Sequence, residues 1–240
     1  MEHNMKIKAI LFDLDGTLLR MDQDAFLKAY FRHISEHLSH YGYKPEELIS
    51  TIQRGTLAML KNDGKISNEV AFWNAFISVY GENARADEPH FNRFYLEKFP
   101  SVHTTCACNP RSRELLDFLH ASGVRVALAT NPLFPRIATL ERIRWAGLTP
   151  DDFEHITTYE NSYYCKPRAE YYRAVAEAIG VRCEDCLMVG NDVSDDMPAA
   201  DTGMRVFLLT DCLINGRGED ISKYPNGGFY ELFAYINSLL

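Results

Sequence analysis

The sequence predicts an α/β fold, a parallel sheet carrying helices and interrupted by a helical block. Three features point there: short apolar runs that stop at polar residues, strand–helix alternation over the second half, and a stretch from about 20 to 100 with helical periodicity alone. The first run, Lys6-Ile7-Lys8-Ala9-Ile10-Leu11-Phe12, begins with alternation, ends apolar and meets Asp13 and Gly16, which is how a buried strand enters a functional turn. From Asp22 to about Tyr41 the residues Phe26, Tyr30, Ile34 and Leu38 recur every fourth position until Gly42 and Pro45 interrupt them. Glu46 to Lys61, Asn68 to Tyr80 and about Glu88 to Phe99 read as further helices, separated by Asp63-Gly64, Gly81 and Asp87-Glu88-Pro89.

After Pro110 the pattern changes. A helix over Ser112 to Ala121 leads through Gly123 into the buried-strand run Val124 to Ala129. A helix near Phe134 to Ala146, a short strand around Ile156, a helix over Ala169 to Ile179 and strands at Cys186 to Val189 and Arg205 to Leu209 complete a βαβ series. The last helix places Phe229, Leu232, Phe233, Ile236 and Leu240 on one core-facing stripe. No internal repeat or low-complexity tract is present.

The 240 residues suit one large domain or one domain with an insertion. A net charge of −8 argues against a generic nucleic-acid binder, which needs a basic face to displace phosphate counterions. Apolar runs fall far short of the ~18 residues of a membrane span, and neither a secretory signal nor an anchor is visible. Six cysteines in a chain with an ample core need form no bridges, so a reducing, cytoplasmic compartment is expected, with no obligate protein partner evident. Cys183 and Cys186 have redox-motif spacing but precede a strand, and we read them as structural; Cys106 and Cys108 lack a second pair for zinc.

Ligands of open α/β sheets bind beyond the carboxyl ends of the strands, and four such ends carry unusual chemistry. After the first strand stands Asp13-Leu14-Asp15-Gly16-Thr17, where carboxylates two residues apart share a face and Gly16 permits a sharp turn. Thr130-Asn131 follows the second strand, Lys166-Pro167 precedes a helix, and Gly190-Asn191-Asp192-Val193-Ser194-Asp195-Asp196 follows the strand at Val189. Brought together, these supply carboxylates for a hard cation, one ammonium, and hydroxyl and amide donors: a site for a phosphoryl group with Mg2+. An aspartate is a feasible nucleophile for phosphoryl transfer, a second can serve as acid and then base, and Lys166 offsets growing negative charge.

In that order and on those elements, Phe12-Asp13-Leu14-Asp15-Gly16-Thr17-Leu18, Thr130-Asn131, Lys166-Pro167 and Gly190-Asn191-Asp192 with Asp196 resemble the four motifs of the haloacid dehalogenase-like hydrolase superfamily. The resemblance covers about Lys6 to Leu209. It implies a Rossmann-like catalytic core over residues 1–19 and 101–240, and an inserted α-helical cap over 20–100. It further implies that Asp13 is the nucleophile forming an aspartyl-phosphate and that Asp15 protonates the leaving oxygen and then activates water. Magnesium is implied on the Asp13 carboxylate, the Asp15 backbone carbonyl and an acid of the fourth motif. Gly16, Thr17, Thr130 and Asn131 are the candidate phosphate-binding residues, with Lys166 beside them. The acid at Asp15 points to the phosphatase branch over the dehalogenase branch, acting on a small phosphorylated metabolite.

Many relatives carry Gly-Asp in the fourth motif where this chain has Gly190-Asn191-Asp192, so either Asp192 is the metal ligand, the reading we favour, or Asn191 takes the acid's place. Asp196 then orients metal-bound water, and Asp195 faces solvent. In the cap, Arg20, Met21 and Arg54 are read as solvated residues, and Phe72, Trp73, Phe76 and Tyr80 as helical core. The same residues would serve a phosphomutase or phosphotransferase. A phospho-acceptor module is disfavoured by Asp15 and by the long insertion, and a binding scaffold by intact Asp13, Asp15 and Lys166.

Overall fold

The computed structural model describes residues 6–240; residues 1–5, counted with the expected core, lie outside the described residues. In chain order the elements are β1 (Ala9–Phe12), β2 (Leu19–Met21), α1 (Gln23–Ser39), α2 (Pro45–Leu60), α3 (Asn68–Tyr80), α4 (Glu88–Glu97), β3 (Cys106–Cys108), α5 (Pro110–Ala121) and β4 (Arg125–Leu128). Then come α6 (Arg136–Trp145), β5 (His155–Ile156), α7 (Ala169–Ala178), β6 (Cys186–Gly190), β7 (Arg205–Leu209), β8 (Asn226–Gly227) and α8 (Phe229–Leu239).

Six strands form one sheet in the order β5-β4-β1-β6-β7-β8, every pair parallel. Helices cover both faces, which is why the strands read as near-continuous apolar runs. Alternation sorts them: Ile10, Phe12, Val126, Leu128, Leu187 and Val189 pack on one face with residues of α5 and α8. Ala9, Leu11, Ala127, Cys186 and Met188 pack on the other with Tyr171, Tyr172 and Val175 of α7. The expected α/β class is the observed one, Rossmann-like in its wound parallel sheet.

The chain leaves β1 toward β4 on one side and β6 on the other, so the winding reverses at β1, the place where such sheets bind ligands. Between β2 and β3 the chain folds as four α-helices with 3-10 turns at Glu82–Asp87 and Phe99–Thr105. Aromatic residues build this insertion's interior: Phe76 lies within 5.4 Å, centroid to centroid, of both Trp73 and Phe91. Its core is continuous with the first sheet face, since Phe26, Tyr30 and Phe99 join the same cluster as Phe12.

One expectation needs correction. The insertion does not begin as helix at residue 20: Leu19–Met21 pairs antiparallel with Cys106–Cys108, tying entry and exit into a two-stranded ribbon. Three-residue strands are too short to leave a period-2 signature, so neither announces itself in the sequence. The two-residue β8 escaped notice for the same reason. All six cysteines are free. Among the described residues no helix is long and apolar enough to cross a membrane.

Candidate active site

The loops after β1, β4, β5 and β6 deliver the predicted residues to one cleft. The amide of Asp13 donates to the Val189 carbonyl at 2.9 Å, extending the β1–β6 ladder by one residue before the chain turns. Gly16 then takes φ +85°, and a Cβ there would come within 2.3 Å of the Asn191 amide nitrogen, so both conformation and space demand glycine. At the end of β6, a Cβ on Gly190 would collide with the Asp196 carboxyl at 2.1 Å. Gly16 thus lets the first loop close on the fourth, and Gly190 lets the fourth fold back on itself.

A chain of buried charge runs through the cleft. The Lys166 ammonium donates to Asp13 Oδ1 at 2.8 Å and to Asp196 Oδ1 at 2.6 Å, and Lys166 and Asp196 are almost wholly buried. Asp196 Oδ2 accepts from the Asp192 amide at 2.9 Å, pinning the fourth loop. Burial weakens the Lys166 charge, but Asp13 and Asp196 more than offset it and hold its pKa well above the ordinary lysine value. Burial pushes the Asp13 carboxyl up to about 7 against the pull of Lys166, with Asp196 and Asp15 adding to the rise. Asp15 is likewise raised by burial, against the pull of Arg142.

Arg142 is the residue that the sequence reading missed. It is 1% exposed, pairs with Asp15 Oδ2, and stacks its guanidinium 4.5 Å from the Phe134 ring centroid. It lies on the buried stripe of α6 with Ala138, Thr139 and Ile143. An arginine on an otherwise core-facing stripe was the available signal, since such a charge needs a buried partner.

The other candidates divide. Asp13, Asp15, Thr130, Asn131, Lys166, Asn191, Asp192 and Asp196 all line a cavity of about 300 Å³. Thr17 does not: it is buried beneath, donating to Asp13 Oδ2 at 3.2 Å and Asn191 Oδ1 at 3.0 Å. Asn191 spends its remaining amide group on the Cys212 carbonyl at 2.7 Å. Asp192 Oδ1 accepts from the Ser194 and Asp195 amides at 2.7 and 3.1 Å. Asp195 is not on the solvent face expected of it; it lines the cavity and accepts from Asn131 at 3.1 Å, because the loop closes tightly where Gly190 meets Asp196. Met21 also lines the cavity, whereas Arg20 and Arg54 are exposed and do not line it. Phe76 is core as expected, but Phe72 and Trp73 also wall a second cavity.

The donor set fits a hard divalent cation. The cavity gathers five carboxyl groups (Asp13, Asp15, Asp192, Asp195, Asp196) against two cations (Lys166, Arg142), so acids outnumber bases, and burial pushes the pKa of Asp13, Asp15, Asp192 and Asp195 up. Such a cleft repels an anionic ligand unless a cation intervenes. Among the described residues no three acidic, histidine or cysteine side chains converge as a ready-made cage. A hard cation such as Mg2+ takes one or two carboxylates and fills its octahedron with water and phosphate oxygens.

Known proteins resemble this chain in sequence and in fold. A family model described as haloacid dehalogenase-like hydrolase matches residues 7–202. The chain is 27% identical to a phosphoglycolate phosphatase of Nitrosospira multiformis, over 87% of this chain and 86% of that protein. Among solved structures, the HAD phosphatase of Thermococcus onnurineus superposes with a TM-score of 0.60 at 21% identity, covering 97% of this chain and 99% of that one. The Bacillus subtilis HAD-hydrolase YfnB, bound to magnesium, gives 0.57 at 20% identity, covering 97% and 99%. The chain belongs to the haloacid dehalogenase-like hydrolases.

Proposed function

We propose that the protein is a magnesium-dependent phosphatase acting on a small phosphorylated metabolite through an aspartyl-phosphate on Asp13. The observation that carries this reading is the pair of carboxylates two residues apart at the end of β1, held by different cations: Asp13 by Lys166, Asp15 by Arg142. Different environments give one pair of like groups two roles. The Asp13 carboxylate attacks phosphorus as the ester oxygen departs, and Asp15, whose pKa is raised, donates the proton that oxygen requires. Asp15, now ionised, takes a proton from the incoming water, which attacks phosphorus and releases the Asp13 carboxylate.

Thr130 and Asn131 hold phosphate oxygens, and Lys166 balances charge on the transferring group. Thr17, Gly16 and Arg142 position the acids from beneath and beside. Asp13, Asp192 and the Asp15 carbonyl would hold the magnesium, which would supply charge neutralisation at the phosphoryl oxygens. The free thiols suit a reducing, cytoplasmic compartment.

The test is phosphate release from p-nitrophenyl phosphate by the native chain and by Asp13→Asn, with magnesium and with chelator. Metal-dependent turnover that falls by ~10⁴-fold or more in the variant is expected, the scale on which a lost nucleophile acts. Equal rates in both proteins would overturn the assignment of Asp13.

A further inference from the structure

Beside the carboxylate cleft lies a second and larger chamber, of about 470 Å³, between the helical insertion and the core. Leu27, Thr56, Leu133 and Phe134 wall both cavities, so the two are adjoining rooms of one site. Their chemistry is opposite. The second chamber is faced by aromatic and aliphatic side chains from all four inserted helices, and among the described residues no lysine, arginine or histidine lines it. Glu88, the single charged residue that lines it among the described residues, is an acid already paired with Arg85 at 3.4 Å.

Three of the large apolar side chains that folding leaves exposed face this space: Leu27, Leu57 and Leu60, exposed by 38%, 49% and 38%. Covering such surface returns about 25 cal/mol per Å². A volume of this size suits an organic group of many atoms, within the usual ~300–1,000 Å³ of ligand pockets. A compact acidic leaving group, such as glycolate or a second phosphate, would leave the chamber largely empty, find no cation there and meet Glu88.

We propose that this chamber receives the leaving group of the substrate, and that the substrate is a phosphomonoester of an apolar, aromatic or alkyl-bearing alcohol. The proposal rests on the phosphatase reading and narrows it. The phosphate occupies the polar room beside Asp13, and the organic part extends past Leu27 and Phe134 into the apolar one.

The experiment measures kcat/KM of the full chain with magnesium on n-alkyl phosphates from ethyl to hexyl, on phenyl and 1-naphthyl phosphate, and on phosphoglycolate. Along the alkyl series leaving-group acidity hardly changes, so a trend reports burial. We expect kcat/KM to rise roughly fourfold per methylene, the fold-change corresponding to ~0.8 kcal/mol per buried CH₂. Naphthyl phosphate should exceed phenyl phosphate, with phosphoglycolate below ethyl phosphate. Leu57→Asp, a change at a half-exposed helix position, should flatten the series. Turnover with a flat series, or with phosphoglycolate preferred, would overturn the proposal. Absence of turnover on every ester would count against the phosphatase reading alone. Equilibrium binding to Asp13→Asn then decides on the chamber: hexyl phosphate binding at least tenfold tighter than ethyl phosphate, with Leu57→Asp erasing the difference, supports it, and equal binding overturns it.

Discussion

The floor of the cleft and its roof solve different problems with different materials. On the floor, charges are held by one or two named partners: Lys166 between Asp13 and Asp196, Arg142 on Asp15, Asp196 on the Asp192 amide. The roof holds an apolar surface assembled from two to four apolar side chains of each of the four inserted helices, with aromatic contacts such as Phe76 against Trp73 and Phe91. Chemistry at the floor depends on atoms placed to within tenths of an ångström, so short contiguous motifs at strand ends encode it. Selection at the roof depends on shape and area, which many sequences satisfy, so no motif marks it.

The contrast can be broken from either side. The largest effect on stability is expected at the roof: Phe76→Ala, at a wholly buried ring that does not line the chamber, should cost about 3–5 kcal/mol by chemical denaturation. Selectivity along the alkyl series should be lost in that variant before turnover of the smallest ester is. A loss of ethyl phosphate hydrolysis in step with selectivity would show that the two rooms are not separable.

Arg142→Met tests the floor. Breaking a buried pair costs roughly 3–5 kcal/mol, and the lower end is expected because the Asp15 side chain is 27% exposed. Arg142 pulls the Asp15 pKa down, so its removal raises that pKa further. The alkaline limb of the kcat profile, where the general acid loses its proton, should therefore move to higher pH. An unmoved limb would show that Arg142 does not act through Asp15.

The smallest of these effects concerns metal affinity. Without metal the Asp13 carboxyl titrates near 7, so protons compete with magnesium below that pH. Magnesium affinity, read by calorimetry, should fall by up to about tenfold per unit as pH drops from 7, and level off above it. The same titration on Asp13→Asn should show weaker binding and less pH dependence.

Much of the floor was legible in the sequence because its residues follow apolar runs whose period and length announce strands. Asp13, Thr130 and Asn191 each stand just past one. Lys166 was legible from its place before a helix. Arg142 was not, because it reaches Asp15 from the middle of a helix 127 residues away in sequence, and a helical arginine normally faces water. Asp195 was misplaced because the direction of a loop side chain follows from the closure of Gly190 onto Asp196, which no periodicity expresses. The β2–β3 ribbon was too short to pattern. For the roof, the spacing of Phe72 and Trp73 told that they belong to a helix with a buried face, but not that the face borders an empty chamber.

The most direct test of the account is a pre-steady-state reaction of Asp15→Asn with p-nitrophenyl phosphate and magnesium. Nitrophenolate leaves without needing a proton, so Asp13 should still be phosphorylated, while loss of the base that activates water stalls the second step. The expected result is a burst of nitrophenolate equal to the enzyme present, followed by slow turnover, with phosphate found by mass spectrometry on the peptide that carries Asp13. Active native enzyme together with a variant that gives no burst, or a phosphate found on any other residue, would contradict it.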